Sequence, residues 1–170
     1  MKSIEFGESL SIVPYALRSE ALCIAAVNIK SLMLEHVPEP LKTYKLCMFA
    51  VRRGGDALKF VPIPLRSKEM CMAAVKSWGP SLQYVPDGMR SHKMCLRAVR
   101  SLGYSLDYVP AAKMNKKICL AAVKRNGWAL HLVPHTLLDY DICLAAVKES
   151  GCALMTVPES MRTKKICRLL

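Results

Sequence analysis

The chain has 170 residues, of which 52% are apolar and 22% charged, so it is not a disordered polymer and suffices for one domain with a substantial core. Its 25 Lys and Arg against 13 Asp and Glu give a formal net charge of +12, which favours anionic partners. The N-terminus lacks the continuous apolar segment of a secretory signal, and no apolar run approaches the ~18 residues of a membrane-spanning helix. We therefore expect a cytoplasmic protein without a membrane span.

Four residue types recur along the chain with a period of 24. Cysteine marks the period at Cys23, Cys47, Cys71, Cys95, Cys119, Cys143 and Cys167. A Val-Pro pair and a leucine keep the same period, and so does a glycine between Gly7 and Gly151, with Ser31 as its one exception. Four columns in one register indicate a tandem array. We predict a single repeat domain over residues 1–170.

Each repeat begins with a predicted helix N-cap four residues before the cysteine. All seven residues at this position are of the preferred capping types: Ser19, Thr43, Ser67, Ser91, Asn115, Asp139 and Thr163. A helix of about eleven residues follows, for example over residues 68–78, with apolar side chains at the spacing of a buried stripe. We expect the glycine to end this helix in the left-handed conformation.

A second, shorter element follows each glycine. Segments such as PSLQYVP (residues 80–86) predict a short helix or 3-10 turn that presents its leucine and valine inward and ends at the proline. Neither element can bury its own apolar face, so neighbouring repeats must stack to form a core. The sequence thus predicts an all-α, right-handed α-solenoid of about seven 24-residue repeats, each with one longer helix and one short helix or 3-10 turn.

The repeat resembles a known bacterial family. The segments CMAAVKSWGPSLQYVPDGMR (residues 71–90) and CLAAVKRNGWALHLVP (residues 119–134) are similar to the domain of unknown function 4116, and the similarity extends from about Gly7 to Cys167. The resemblance implies a helical repeat and an association with bacterial, effector-like proteins, hence delivery to a host cell as an alternative location. It supplies no catalytic residues to carry over.

The cysteine column is interpreted as packing rather than chemistry. Zinc sites use closely spaced cysteine pairs, and the chain has no Cys-x-x-Cys. Helices stacked about 8–10 Å apart hold their Cα atoms beyond the ~7 Å reach of a disulfide. Cys152, the one cysteine out of phase, is the best candidate for a reactive thiol. His131 and His135 have a ligand spacing that Pro134 interrupts. We expect no metal, no cofactor and no enzymatic activity.

Variable repeat positions are where a solenoid usually contacts its partner. Two such columns lie after each glycine, and their aromatic members in the middle of the array are Phe60, Tyr84, Tyr104, Tyr108 and Trp128. Core filling is the commoner use of such residues, whereas exposed aromatic side chains would anchor a protein. The leading interpretation is a non-enzymatic scaffold that binds a protein partner, as a monomer or as a dimer through its C-terminal edge.

Basic residues form two further columns. One follows the helix valine and includes Arg52, Lys76, Arg100 and Lys124; the other precedes the N-cap and includes Arg90. Along a solenoid such columns become stripes that can follow a phosphate backbone. Cations near helix C-termini also compensate the helix dipole and cover apolar surface. Binding of nucleic acid or another polyanion is the alternative interpretation, with Arg90, Arg97 and Arg100 expected to face outward.

Overall fold

The computed structural model describes residues 10–167, and Gly7, the first glycine of the periodic series, lies outside the described residues. Helices and turns make up this part of the chain, in which no β-strand occurs. The α-helices of residues 10–167 are α1 Glu20–Ile29, α2 Tyr44–Arg53, α3 Lys68–Ser77, α4 His92–Ser101, α5 Lys116–Arg125, α6 Tyr140–Glu149 and α7 Lys164–Cys167. The predicted all-α repeat fold is confirmed.

Two 3-10 segments separate consecutive α-helices. Six-residue segments follow α1 to α6, at Ser31–His36, Gly55–Phe60, Gly79–Tyr84, Gly103–Tyr108, Gly127–Leu132 and Gly151–Thr156. Three-residue segments follow the Val-Pro pairs, at Tyr15–Leu17, Glu39–Leu41, Ile63–Leu65, Asp87–Met89, Ala111–Lys113, His135–Leu137 and Glu159–Met161. The sequence predicts only the six-residue segments. The three-residue segments form because the proline carbonyl accepts a hydrogen bond from the N–H three residues later, as from the Leu65 N–H to the Pro62 carbonyl at 2.9 Å.

The predicted N-caps hold the start of each helix. The Ser67 Oγ accepts a hydrogen bond from the Met70 N–H at 3.1 Å. The same bond, at 3.0 to 3.4 Å, is accepted by the other six caps, Ser19, Thr43, Ser91, Asn115, Asp139 and Thr163. Each cap satisfies one of the N–H groups that lack a partner within the first turn. The prediction of the helix starts is therefore confirmed.

The helix ends differ from the prediction. The last residue of α4 is followed by Leu102 in an extended conformation, with φ −143°. Gly103 then begins the 3-10 segment, and its φ lies outside the left-handed region. The expected left-handed glycine cap is wrong, because the chain leaves the helix through the extended residue before the glycine.

Close approach between repeats explains the glycine column. A Cβ atom added to Gly103 would lie 2.7 Å from the Ala122 carbonyl oxygen of α5 and 2.9 Å from the Asn126 Cβ. Gly55 and Gly127 face the corresponding alanine carbonyls of the next helix in the same way. Glycine therefore lets these three 3-10 segments lie directly against the backbone of the following helix.

Residues Met1–Tyr84 form one compact unit and Val85–Leu170 another, here the N-terminal and C-terminal units. In the N-terminal unit, α3 packs on α2 and on the 3-10 segment Gly55–Phe60. In the C-terminal unit, α5 packs on α4, on α6 and on the 3-10 segments of its own and the preceding repeat. Such nearest-neighbour packing is that of an α-solenoid. The single-domain organisation and the right-handed twist stay predictions.

The core lies between the α-helices and the six-residue 3-10 segments. In α3, the predicted stripe of Met70, Cys71, Ala74 and Val75 is completely buried. Leu58, from the preceding repeat's 3-10 segment, is buried as well. Full burial of an aliphatic side chain of this size contributes about 1.5–3 kcal/mol. Most of each repeat's stability therefore comes from surfaces that it shares with its neighbours.

Arginines before four of the N-caps, Arg18, Arg66, Arg90 and Arg162, form what we call the arginine clamp. The Nε of Arg66 donates to the Val61 carbonyl at 2.9 Å, and its Nη1 donates to the Tyr84 carbonyl at 2.6 Å. The other three clamp arginines also donate to the valine carbonyl five residues earlier. Arg18 and Arg90 also donate a second hydrogen bond, from Nη1 to the carbonyl of the residue 18 positions later in the chain. The clamp thus ties one repeat's turn to the next repeat's 3-10 segment.

Candidate functional site

Shallow grooves run between consecutive α-helices, on the side away from the 3-10 segments. In α5, Lys117, Lys124 and Arg125 are exposed, while Leu120 and Ala121 are half-buried. Because this pattern repeats, neighbouring helices enclose a floor that is mainly apolar between charged edges. The grooves measure about 600 Å³ between α1 and α2, 490 Å³ between α2 and α3, 390 Å³ between α4 and α5, and 570 Å³ between α5 and α6.

The α1/α2 groove has the largest volume of these four and a mostly apolar lining. Ile24 on α1 is 45% exposed, and Tyr44 and Phe49 on α2 are 41% and 39% exposed. The two helices contact each other much less than α2 contacts α3, so these side chains stay accessible. Glu20 lies on one wall, and Lys45 lies on the other. Three large apolar side chains on one groove are a surface that a partner can cover.

The α1/α2 groove was not predicted from the sequence, although the repeat columns carry a signal for it. Phe49 stands where four of the other repeats have alanine, at Ala25, Ala73, Ala121 and Ala145. Tyr44 stands where α3 and α5 begin with lysine, at Lys68 and Lys116, although α6 begins with a tyrosine as well, Tyr140. At Phe49, a large aromatic residue in a column of small or charged ones marks a position that the shared core does not require.

The α4/α5 groove differs from its neighbours in charge. Its lining combines the half-buried Leu120 and Ala121 with four cations, Arg100, Lys117, Lys124 and Arg125. The α2/α3 groove contains Glu69, whose carboxylate lies 3.4 Å from Arg52. The α5/α6 groove contains two carboxylates, Asp141 and Glu149. Among these grooves, the α4/α5 lining alone has basic residues and no acidic ones.

The predicted aromatic residues fall into two groups. Phe60, Tyr84 and Tyr108 are half-buried, and the main-chain carbonyls of both tyrosines accept bonds from the arginine clamp. Tyr104 and Trp128 are 40% and 39% exposed. Phe60, Tyr84 and Tyr108 therefore agree better with the interpretation that these side chains fill the core than with that of a fully exposed anchor for a partner.

The C-terminal unit brings Tyr104 and Trp128 to one histidine. The Tyr104 ring centroid lies 5.9 Å from that of His131, and the His131 Nδ1 lies within hydrogen-bond distance of the Trp128 carbonyl. Phe60 and Tyr84 belong to the N-terminal unit. The cluster at His131 therefore includes two of the five predicted aromatic residues, Tyr104 and Trp128.

The predicted basic residues also separate. Arg52 and Lys76 line the α2/α3 groove, whereas Arg100 and Lys124 line the α4/α5 groove. Arg97 is exposed on α4.

Arg90 does not face outward as expected. Its Nε donates to the Val85 carbonyl and its Nη1 to the Tyr108 carbonyl, both at 2.8 Å, and Asp87 lies 3.1 Å from it. Its side chain is 16% exposed. The expectation of an outward-facing Arg90 is wrong, because carbonyls that the stacking of repeats brings together hold its guanidinium.

A surface ion cluster connects α5 with the start of α6. The Lys116 Nζ lies 2.6 Å from an Asp139 carboxylate oxygen and 2.9 Å from an Asp141 oxygen. Its hydrogen bond to Asp139, followed by that to Asp141, raises the pKa of Lys116 to about 12. The bond from Lys116 correspondingly lowers the pKa of Asp139, which also caps α6. All three groups are accounted for by helix capping and pairing between neighbouring repeats.

Residues 115–162 match the family model described as "Domain of unknown function (DUF4116)". The matched segment starts at the N-cap Asn115 and ends at the clamp residue Arg162, so it spans two periods of 24 residues. Neither the curated proteins nor the solved structures include a match to the chain. The family likeness is thereby supported for the repeats of α5 and α6.

Two classes of feature are absent from residues 10–167. No group of three or more His, Cys, Asp and Glu side chains in this range is arranged to hold a metal ion. None of the helices in this range has the length and apolar character needed to cross a bilayer.

The periodic cysteines are buried free thiols at six of their seven positions, Cys23, Cys47, Cys71, Cys95, Cys119 and Cys143. Burial raises the pKa of each of these thiols, and it raises that of Cys47 to about 11. Cys152 and Cys167 are exposed. Because the thiolate is the nucleophile, burial removes both access and reactivity from the six.

We expect a thiol reagent such as dithionitrobenzoate to label two of the eight cysteines rapidly in the native protein at neutral pH. Mass spectrometry of the tryptic peptides should place the labels on Cys152 and Cys167. In denaturant all eight should react. Rapid native labelling of Cys71 or Cys95 would contradict the packing role of the column.

Proposed function

We propose that the chain is a non-enzymatic repeat scaffold that binds a protein partner, and that the α1/α2 groove receives an amphipathic helix of that partner. The observation that supports this proposal most directly is the exposure of Ile24, Tyr44 and Phe49 on one apolar groove. Helical partners commonly lay their apolar face into such grooves. A helix placed there would cover side chains that stay partly exposed, although the Tyr44 hydroxyl lies 3.1 Å from the Ser67 Oγ of the next repeat.

The charges at the groove edges support a helix with mixed polar flanks. Glu20 lies on the α1 side, and Lys45 and Arg52 lie on the α2 side. A partner helix with basic residues on one flank and acidic residues on the other would complement both walls. Such an arrangement fixes the direction of the helix as well as its position.

The alternative function, binding of nucleic acid or another polyanion, has one specific observation in its favour. In the C-terminal unit, Arg100, Lys117, Lys124 and Arg125 line a single groove without a carboxylate. In the N-terminal unit the equivalent basic residue Arg52 is paired with Glu69. A basic stripe is therefore supported over one groove rather than along the whole array.

Phe49→Ala combined with Tyr44→Lys tests the α1/α2 groove. Both changes introduce residues that other repeats carry at these positions, so folding should be preserved. Protein fragments selected against the full chain from a displayed library should bind the double variant at least about tenfold more weakly, since exposed aromatic anchors carry much of an interface's affinity.

Ile63→Ala provides the matched control. Ile63 is 67% exposed and does not line the α1/α2 groove, so its replacement should leave the affinity of the purified fragments unchanged. The selected fragments should also show apolar residues at i, i+3, i+4 and i+7. Fragments that bind the wild type, the double variant and Ile63→Ala alike would overturn the assignment of this groove.

A further inference from the structure

The C-terminal unit carries most of the chain's positive charge. Residues 85–170 contain 14 Lys and Arg against 6 Asp and Glu, so this half contributes +8 of the net charge of +12. Four of these cations lie together in the α4/α5 groove, at Arg100, Lys117, Lys124 and Arg125. The excess charge is therefore partly concentrated at one place.

The acidic side chains among residues 10–167 do not pair with these cations. Within residues 10–167, no carboxylate lies at ion-pair distance from Arg100, Lys117 or Lys124. Arg125 donates its Nε to the Ser101 carbonyl at the end of α4, at 3.2 Å, and meets no acid there. An anionic ligand would thus meet cations whose charge is uncompensated.

The neighbouring repeat shows that this charge is not required by the fold. At the positions of Lys117 and Arg125, one period later, α6 has Asp141 and Glu149. Those carboxylates line the α5/α6 groove, which is built on the same helix positions. The same backbone therefore accepts either sign of charge: α2 also has cations at these two positions, Lys45 and Arg53, whereas α6 has carboxylates. The α4/α5 groove differs from the α1/α2 groove in that its lining contains no carboxylate.

The apolar floor of the α4/α5 groove favours one class of anionic partner over another. Leu120 and Ala121 are half-buried between the charged edges, and the lining is mostly apolar. A nucleic-acid backbone presents charged phosphates to a groove of this kind, and its bases bind mainly by stacking on aromatic side chains, which this lining lacks. An amphipathic helix has both an apolar face for the floor and charged flanks for the edges. The ten residues of α5 give the groove a length of about 15 Å, roughly three turns of a partner helix.

We infer that the α4/α5 groove is a second docking site, specific for an acidic amphipathic helix of a protein partner. Leu120 and Ala121 contact the apolar face of that helix, and the four cations pair with carboxylates on its flanks. The inference rests on the proposed function in that the partner is a protein. It concerns the other unit, and it is tested with a defined peptide rather than a natural partner.

The probe is a fluorescently labelled synthetic peptide of about 18 residues, with leucine at i, i+3, i+4 and i+7 and glutamate on both flanks. Its anisotropy is measured against the full chain, and a peptide with glutamine in place of glutamate is the reference. We expect saturable binding that weakens as NaCl is raised, and binding of the glutamine peptide that is at least about tenfold weaker.

Lys117→Asp combined with Arg125→Glu gives the α4/α5 groove the carboxylates of the α5/α6 groove. This variant should bind the acidic peptide at least about tenfold more weakly, because two attractive contacts become repulsive. Lys148→Glu combined with Lys164→Asp makes the same change in net charge outside the groove and should preserve binding within about twofold. Circular dichroism and urea midpoints establish that both variants are folded.

Two outcomes would overturn the inference. One is equal binding of the acidic peptide by the two double variants. That result would show that the net charge of the chain, and not the position of the cations, governs the binding. The other outcome concerns a single-stranded oligonucleotide that binds the wild-type chain more tightly than the acidic peptide does. Its binding would be lost in the variant Lys117→Asp with Arg125→Glu and would be unaffected by Leu120→Ala. That result would assign the groove to a polyanion. Neither outcome depends on Phe49 or Tyr44, so a failure here is distinguishable from a failure at the α1/α2 groove.

Discussion

Replacing Gly103 with alanine is expected to lower the free energy of unfolding by about 1–3 kcal/mol, the usual cost of forcing an extra methyl group into a packed interior. The new Cβ would lie 2.7 Å from the Ala122 carbonyl oxygen, and a backbone atom of a packed helix cannot easily move away. The 3-10 segment would have to separate from α5, and the leucine and valine that it buries would move with it. Urea denaturation followed by circular dichroism measures the effect.

Gly88→Ala is the matched control. A Cβ atom at Gly88 meets nothing within 4 Å, and the residue does not adopt a left-handed φ. Because alanine restricts the unfolded chain more than glycine does, this change should leave stability unchanged or raise it by up to about 1 kcal/mol. Equal urea midpoints for the two variants would show that close approach does not explain the glycine column.

Replacing Arg66 with methionine should lower the free energy of unfolding by about 2–3 kcal/mol, since hydrogen bonds to a charged group contribute about 1.5–3 kcal/mol each and the carbonyls left behind partly reach water. The change removes the donors that serve Val61, Tyr84 and Lys59. The Arg66 side chain is half-buried, and this burial lowers the pKa of its guanidinium.

Arg66→Lys separates charge from geometry. Lysine keeps the positive charge but lacks the planar fork that reaches two carbonyls in different repeats, so it should recover little of the loss. Lys42, the one lysine in this column, pairs with Glu39 at 2.6 Å. Arg97→Met, at an exposed position of α4, should change stability by less than about 0.5 kcal/mol. Full rescue by lysine would contradict the clamp.

The arginine column shows what sequence reasoning lacks. A cation before an N-cap fits a solvated stripe, a ligand site and a structural clamp equally well. The choice depends on where carbonyls 18 residues further along the chain lie, as for Arg66 and Tyr84. That separation is set by the packing of one repeat on the next, and the local sequence does not encode it. The outward orientation of Arg90 was expected, and wrong, for this reason.

The candidate sites were predictable only in part. Arg100 and Lys124 were identified from their column, but Lys117 and Arg125 join them only because α4 and α5 pack side by side. The α1/α2 groove was missed, because Phe49 reads as one more apolar helix residue until its exposure is known. Which side of an apolar helix meets a neighbour is a property of the stack.

The sequence by itself determined the period of 24, the seven N-caps and the buried stripe, because capping and helical periodicity are local and each is repeated down the chain. Only the tertiary structure decided the roles of glycine, arginine and the groove residues. A glycine that would fit a left-handed turn is needed instead for contact with the next helix, as at Gly103. Contacts between repeats join residues about one period apart, so the roles of these residues depend on how the repeats stack and not on the local sequence.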